Sequence, residues 1–421
     1  MPLLDLLLLA SALFLFALFS RRLTDRSLTA PMVFLLLGIV VGRGGLGWFE
    51  TSLEASWLHL LAELALVLVL FADATRIDLG ALRRESGLPV RMLLVGLPLT
   101  VVLGTGLMLV ILPELGLWSA ALLAAILAPT DAALGQSVVS SPAVPLRLRQ
   151  ALNVESGLND GLMVPVIHAL AASAVMMTSD DHGSGLGSAA IALLLGPLVG
   201  VVLGGLGAVS LTWVRRREWI EEGWAPLVVL ALALGAWALA ETVHGNGFLA
   251  AFVGGLTFGW CSRGREHQAG EFVETQGQLL TLTTFFLLGA LLWPVVVDGW
   301  SPRTLLAALA MLTIARALPV TFSLLGTGLK PRAFLFLAWF GPRGLASVVF
   351  VILIHEHFHL PGSELVLETV LLTVVLSTLL HGMSAAPAAR AHGRLSEEEP
   401  CPAEEVAVHE HPLGVRTQCR R

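Results

Sequence analysis

Residues 128–131 read Ala-Pro-Thr-Asp and residues 155–160 read Glu-Ser-Gly-Leu-Asn-Asp, and both clusters interrupt apolar stretches long enough to cross a bilayer. A carboxylate at the centre of a membrane helix costs roughly 2.5 to 3.5 kcal/mol even on lenient insertion scales, so such groups are kept for ions, protons or partners. Glu155 and Asn159 form one i, i+4 pair and Ser156 and Asp160 another, displaced by about 100° around the axis. If the two segments are antiparallel neighbours, Asp131 and Asp160 meet near mid-membrane. Thr130, Ser156 and Asn159 then add neutral oxygens, which a monovalent cation accepts in place of water. Two carboxylates at one low-dielectric site make a proton and a cation compete for the same groups, which is the core of an exchanger.

The elements that must position these groups follow from composition. The chain has 421 residues, 56% hydrophobic and 13% charged, with a mean hydropathy of +0.81, a mix that describes a polytopic all-α membrane protein. With about 20 residues per crossing, thirteen spans are expected: 2–20, 28–47, 56–75, 88–112, 115–138, 150–177, 189–214, 224–241, 245–261, 279–297, 304–326, 333–355 and 364–386. No positive charge precedes the first, so it reads as a retained helix and not a cleaved signal. Alternate loops carry sixteen basic residues, against only Arg43 and Arg303 in the other set. The positive-inside rule makes the basic loops cytoplasmic, with the N-terminus outside and the C-terminus inside the cell membrane. Eleven Trp and no Tyr leave tryptophan alone to build the interfacial belt.

The membrane domain is expected to be 1–386, followed by a cytoplasmic, disordered tail at 387–421. The net charge of −6 is small for 421 residues and identifies no partner, and no nucleic-acid partner is expected. Cys401, His409, His411 and Cys419 match no compact metal-ligand spacing. His355, His357 and His359 read as a solvated loop at an outer helix end. No G-x-S-x-G elbow occurs, and the one H-E-x-x-H string, His355-Glu356-His357-Phe358-His359, reads as part of that solvated loop and not as a zinc-binding helix, so neither an enzyme nor a cofactor is expected.

Thirteen spans suggest two inverted six-helix halves joined by one linking helix, with the site where matching helices are interrupted. Span five carries Pro129 beside Asp131, and span twelve, seven further on, carries Gly341-Pro342-Arg343-Gly344. Proline removes a backbone donor and clashes with the preceding turn, so both segments should unwind and cross. Arg316 and Arg343 are the two arginines near the middle of spans, and Glu155 pairs with one or the other, leaving Asp131 and Asp160 for ions. A cation channel is the competing function, although channels favour a polar stripe through the whole pore and this polarity gathers at one depth.

The strings APTDAALG (128–135), NVESGLNDG (153–161), GNGFLAAFVGGLTFG (245–259), ARALPV around Arg316 and WFGPRG (339–344) resemble the NhaP-type sodium/proton antiporters of the cation:proton antiporter superfamily. APMVFLLLG (30–38) and LFADATRIDL (70–79) fit as well. The resemblance covers nearly all of the membrane region and excludes the tail. It implies a thirteen-helix homodimer with separate dimerisation and transport bundles, and elevator-like exchange of Na+, Li+ or K+ for H+ in the service of pH homeostasis. Carried over by residue, it makes Asp160 the acid that binds ion and proton, with Asp131 and Thr130 completing the site and Ser156 a further ligand. It makes Glu155 the partner of Arg316. Asn159 stands where other members have a second acid, which implies electroneutral one-for-one exchange. Asp73 is a looser match, serving either an ion funnel or the surface.

Overall fold

The computed structural model describes residues 3–25, 28–49, 56–77, 87–176, 184–262, 267–358, 360, 362–399 and 401–404. The helices, numbered in chain order, begin with α1 (Leu3–Asp25), α2 (Ala30–Val41), α3 (Ser56–Thr75) and α4 (Leu88–Ile111). α5 is broken into Gly116–Ile126 and Ala132–Val139. There follow α6 (Leu146–Met176), α7 (Ser184–Arg216), α8 (Ala225–Thr242), α9 (Gly247–Ser262), α10 (267–298) and α11 (Pro302–Ser323). α12 is broken into Pro331–Trp339 and Leu345–Phe358, and α13 is Ser363–Glu398. Each expected span overlaps one of these units.

Eight of the described helices are individually long and apolar enough to cross a membrane, and four more are shorter and apolar. Among the described residues no strand occurs. The protein is an all-helical, multi-span membrane protein. Exposed tryptophans mark both rims: Trp213, Trp219, Trp224 and Trp260 at the end that carries Arg215, Arg216 and Arg217, and Trp48 and Trp300 at the opposite end. Amphipathic indoles at two levels are what the two interfaces of a bilayer select.

The helices sort into two bundles. α3 packs on α9 and α10, α7 on α8 and α9, and α2 on α10. In the second bundle α4 packs on α5 and α11, α5 on α6, and α13 on α11 and α12. α7 and α9 meet through Gly204 and Gly254, so their backbones touch without intervening side chains, the association mode that lipid-embedded helices favour. The seam between bundles is formed chiefly by α6 against α3, α7 and α9 and by the second half of α12 against α3. Asp131, Glu155, Asp160, Arg316 and Arg343 all belong to the second bundle, and Asp73 on α3 to the first.

The tail departs from expectation. α13 runs past residue 387 to Glu398, across Pro387, so the first part of the stretch read as disordered is helix. The physical reason is docking: Glu399 pairs with Lys330 at 3.2 Å and with Arg332 at 3.7 Å, and buried Glu404 lies 3.6 Å from His392. Arg147 also donates to the Ala403 carbonyl. A composition scan sees only the acids and not their basic receptors on other helices. His409, His411 and Cys419 lie outside the described residues, as do the side chains of His357 and His359.

Burial pushes the His392 imidazole below its ordinary range, the Glu404 carboxylate opposes this, and Arg332 adds to it. The docked tail therefore holds His392 neutral, whereas an undocked tail titrates near pH ~6.5. Docking stability is fully present above that value and is lost as pH falls below it. Limited proteolysis should cut the tail faster at pH 5.5 than at pH 8, and His392→Gln should remove most of that difference. Equal cutting of the native chain at both pH values would refute the assignment.

Candidate functional site

The two breaks face each other. Pro129 and Pro342 supply no backbone donor, and the chain leaves the helix at 127–131 and 340–344. The Asp131 N–H donates to the Pro342 carbonyl at 2.8 Å, which ties one break to the other. Each half-helix leaves unsatisfied N–H groups at its start and carbonyls at its end, with the corresponding partial charges.

Those ends are neutralised by side chains from across the crossing. Asp131 Oδ1 accepts from the Leu134 N–H at 3.3 Å and Oδ2 from the Leu345 N–H at 3.0 Å, so one carboxylate caps the second halves of both α5 and α12. Arg343 Nη1 donates to the carbonyls of Ala128 and Pro129 at 2.8 and 2.9 Å, at the end of the first half of α5. Ser347 adds a bond to the Ile126 carbonyl at 2.7 Å. A Cβ on Gly344 would collide with the Asp131 carboxylate, and one on Gly341 with the Arg316 guanidinium, so both glycines of the break are there for close approach.

Arg316 and Glu155 form a buried, two-pronged ion pair, Nη1 to Oε1 and Nη2 to Oε2, both at 2.9 Å. Arg316 Nη2 also reaches the carbonyls of Leu337 and Phe340 at 3.3 and 3.4 Å, the end of the first half of α12. Of the two arginines left open as partners of Glu155, Arg316 takes the role, and Arg343 is committed to α5.

A cavity of about 90 Å³ lies in the seam. It is lined by Arg76, Ser140, Asn153 and Glu274 toward the basic end, and its wall also holds Asp73, Asp131 and Asp160. That volume holds several waters or a partly hydrated ion, since one water needs only ~10 to 15 Å³ of such space. Thr130, Ser156 and Asn159 do not line it. They bond one another, Thr130 Oγ1 to Ser156 Oγ at 2.8 Å and Asn159 Nδ2 to Thr130 Oγ1 at 2.7 Å. Asn159 Oδ1 stays buried without a hydrogen-bond partner. A buried amide oxygen in that state is costly and is available as a ligand.

Several contributors were not anticipated from sequence. Glu274, Gln136 and Asn153 line the cavity, and Glu274 pairs with Arg76. Ser377 Oγ accepts from the Arg343 N–H at 2.6 Å, and His381 Nε2 donates to the Trp339 carbonyl at 2.9 Å, so α13 braces both sides of the α12 break. Polar residues on α13 at 377 and 381, one turn apart inside an apolar run, were the available signal.

The profile of a family described as "Sodium/hydrogen exchanger, transmembrane" matches residues 8–391. The chain belongs to the sodium/hydrogen exchanger family. Among the relatives of this chain is a K(+)/H(+) antiporter NhaP2 from Shewanella sp. (strain ANA-3), 28% identical over 385 residues, covering 90% of this chain and 66% of that protein. Another is a Na(+)/H(+) antiporter 2 from Zygosaccharomyces rouxii, 26% identical over 75% of this chain and 41% of that protein. The chain thus spans somewhat less than two thirds of the length of the curated relatives it matches first. The solved structure of the sodium proton antiporter MjNhaP1 from Methanocaldococcus jannaschii at pH 8 shares the fold, with a TM-score of 0.70 at 21% identity over 90% of this chain and 96% of that one.

Proposed function

We propose that this exchanger-family chain is a secondary transporter, not an enzyme, that swaps one monovalent cation, Na+, Li+ or K+, for one H+ across the cell membrane. The observation that carries the reading is the convergence of Asp131 and Asp160 on one cavity beside two crossed, broken helices. Asp160 has no helix end to cap, so it is the principal exchanging acid, and Asp131 is both cap and co-ligand. A cation that enters must displace a proton, and a proton that enters must displace the cation, because both neutralise the same buried charge. Ser156, Thr130 and the free Asn159 oxygen stand behind the carboxylates as a neutral oxygen reserve.

In this reading the units α1–α13 are thirteen crossings in two inverted six-helix repeats, with α5 and α12 as matching members. The basic loops are cytoplasmic, the N-terminus is outside, and the 90 Å³ cavity opens inward with Asp73 in its funnel. Residues 1–386 form the transport domain, and 387–421 a cytoplasmic tail. The bundle of α1–α3 and α7–α10 joins a second copy in a homodimer, and the other bundle slides along the seam.

Purified protein in vesicles tests this through a pH-sensitive dye. Saturable proton movement on adding Na+, Li+ or K+ is the expected result, and rapid cation flux without proton coupling would instead indicate a channel. Asn159 in place of a second acid makes the cycle one-for-one. The rate should therefore not respond to an imposed membrane potential, and a voltage-dependent rate would refute electroneutrality.

A further inference from the structure

Asp160 is followed on α6 by Gly161, which has no room for a side chain. A Cβ there would strike the ring of Phe252, which α9 pushes across the seam against the α6 backbone. Phe252 is 5% exposed. Asp160, on one side of it, lines the 90 Å³ cavity. Ile167, six residues beyond Gly161 on α6, and Phe248, one turn before Phe252 on α9, line a separate cavity of about 260 Å³. Phe252 lines neither cavity and stands between them.

α9 holds this ring rigidly. Gly254 meets Gly204 of α7 backbone to backbone, and a Cβ on Gly255 or Gly259 would strike the carbonyls of Phe71 or Thr75 on α3. A helix that touches its neighbours through backbone on two sides cannot shift without losing both contacts. Phe252 is therefore fixed to the first bundle, whereas Gly161 belongs to the second.

α6 offers the ring a second place. Gly157 lies four residues before Gly161 on the same face, ~6 Å along the axis and ~40° around it. A Cβ on Gly157 would meet, among the described residues, only the Cβ of Asp73 at 3.9 Å, an ordinary van der Waals contact. Glycines at i and i+4 remove a stretch of one side-chain ridge from the helix surface and leave a groove along it. Asp160 borders this groove, one residue before Gly161 and three after Gly157. With the ring at Gly161, Asp160 is on the side of the smaller cavity. With the ring at Gly157, Asp160 would lie ~4.5 Å past it, on the side of the larger one.

We propose that Phe252 is the gate of the seam and that Gly161 and Gly157 are its two seats, so that exchange carries α6 past the ring by one helical turn and moves Asp160 from one side to the other. This rests on the exchanger reading above. A one-turn ratchet suits a packed seam, which is bistable and not continuously deformable. The ring also enforces coupling. Passing it strips water from Asp160, which a carboxylate neutralised by a proton or a cation tolerates and a bare one does not.

The test is Gly157→Ala, assayed in vesicles with the pH-sensitive dye. Its methyl meets no neighbouring side chain closer than 3.9 Å in the structure described, so the variant should keep native thermal survival on size exclusion. Filling the second seat overpacks the alternative state and lowers its population, so cation-dependent proton movement should fall by roughly 10-fold or more. Adding Phe252→Leu, which is narrower at the contact, should restore most of the lost rate. Native exchange in Gly157→Ala, or a loss that Phe252→Leu does not relieve, would overturn the two-seat gate. If Gly157→Ala is not recovered folded, Phe252→Ala carries the test: unloaded Asp160 then passes more readily, and proton movement without cation should rise relative to coupled movement. An unchanged ratio would refute the gate. Native vesicles without cation-coupled proton movement would sink the exchanger reading itself, a result distinguishable from failure of the gate.

Discussion

Vesicles carrying Asp160→Asn will show no cation-dependent proton movement above that of empty vesicles, while the protein is recovered folded and in normal yield. Asp160 lines the 90 Å³ cavity and is 9% exposed, and among the described residues no hydrogen bond ties its carboxylate to a helix end. Asparagine is close in size and keeps one oxygen, so packing survives, but it can neither release a proton nor neutralise a cation. Asp131→Asn should behave differently, because its carboxylate accepts backbone N–H bonds from two half-helices and its loss weakens the crossing itself. Retained cation-coupled exchange in Asp160→Asn, measured by dye dequenching over a range of cation concentrations, would overturn the assignment of the exchanging acid.

The second large effect falls on folding. Glu155→Gln leaves the Arg316 guanidinium buried beside carbonyls, with its two 2.9 Å charge-assisted bonds broken or weakened. Removing one member of a buried ion pair costs about 3–5 kcal/mol, because the remaining charge is uncompensated. Detergent-solubilised Glu155→Gln should lose its monodisperse size-exclusion peak at a much lower temperature than the native chain. Replacing both partners, Glu155→Leu with Arg316→Met, should recover much of the loss, since apolar substitutes of similar volume remove the desolvation cost altogether. A Glu155→Gln protein with native thermal survival and abolished cation competition would instead make Glu155 an ion ligand.

The sequence disclosed most where a local rule acts strongly. Pro129 and Pro342 each lack a donor in an otherwise apolar helix, so both breaks were legible, and the cost of buried charge narrowed the partners of Glu155 to two arginines. What stayed hidden was assigned by helix ends meeting in space. Nothing local says that Arg343 serves the carbonyls of Ala128 and Pro129, or that Asp131 caps Leu345 as well as Leu134. Thr130, Ser156 and Asn159 read as ion ligands by type, yet the two hydroxyls and the Asn159 amide nitrogen bond one another beside the cavity and leave only the Asn159 oxygen unpaired, a choice fixed by rotamers and not by spacing. The tail misled for a similar reason, since its acids meet Lys330 and Arg332 on a distant helix.

The crossing also bears on how the chain is made. Glu155 waits 161 residues for Arg316, and Asp131 waits 214 residues for the Leu345 N–H. At a synthesis rate of ~5 to 20 residues per second, the first broken helix stays in the bilayer for ~10 to 40 s before its counterpart exists. During that interval its carboxylates have water, lipid headgroups or an insertion factor for company. The nascent first half is therefore the stage at which this protein is most exposed to quality control, and a ribosome stalled before Arg343 would release a product that cannot close its own centre.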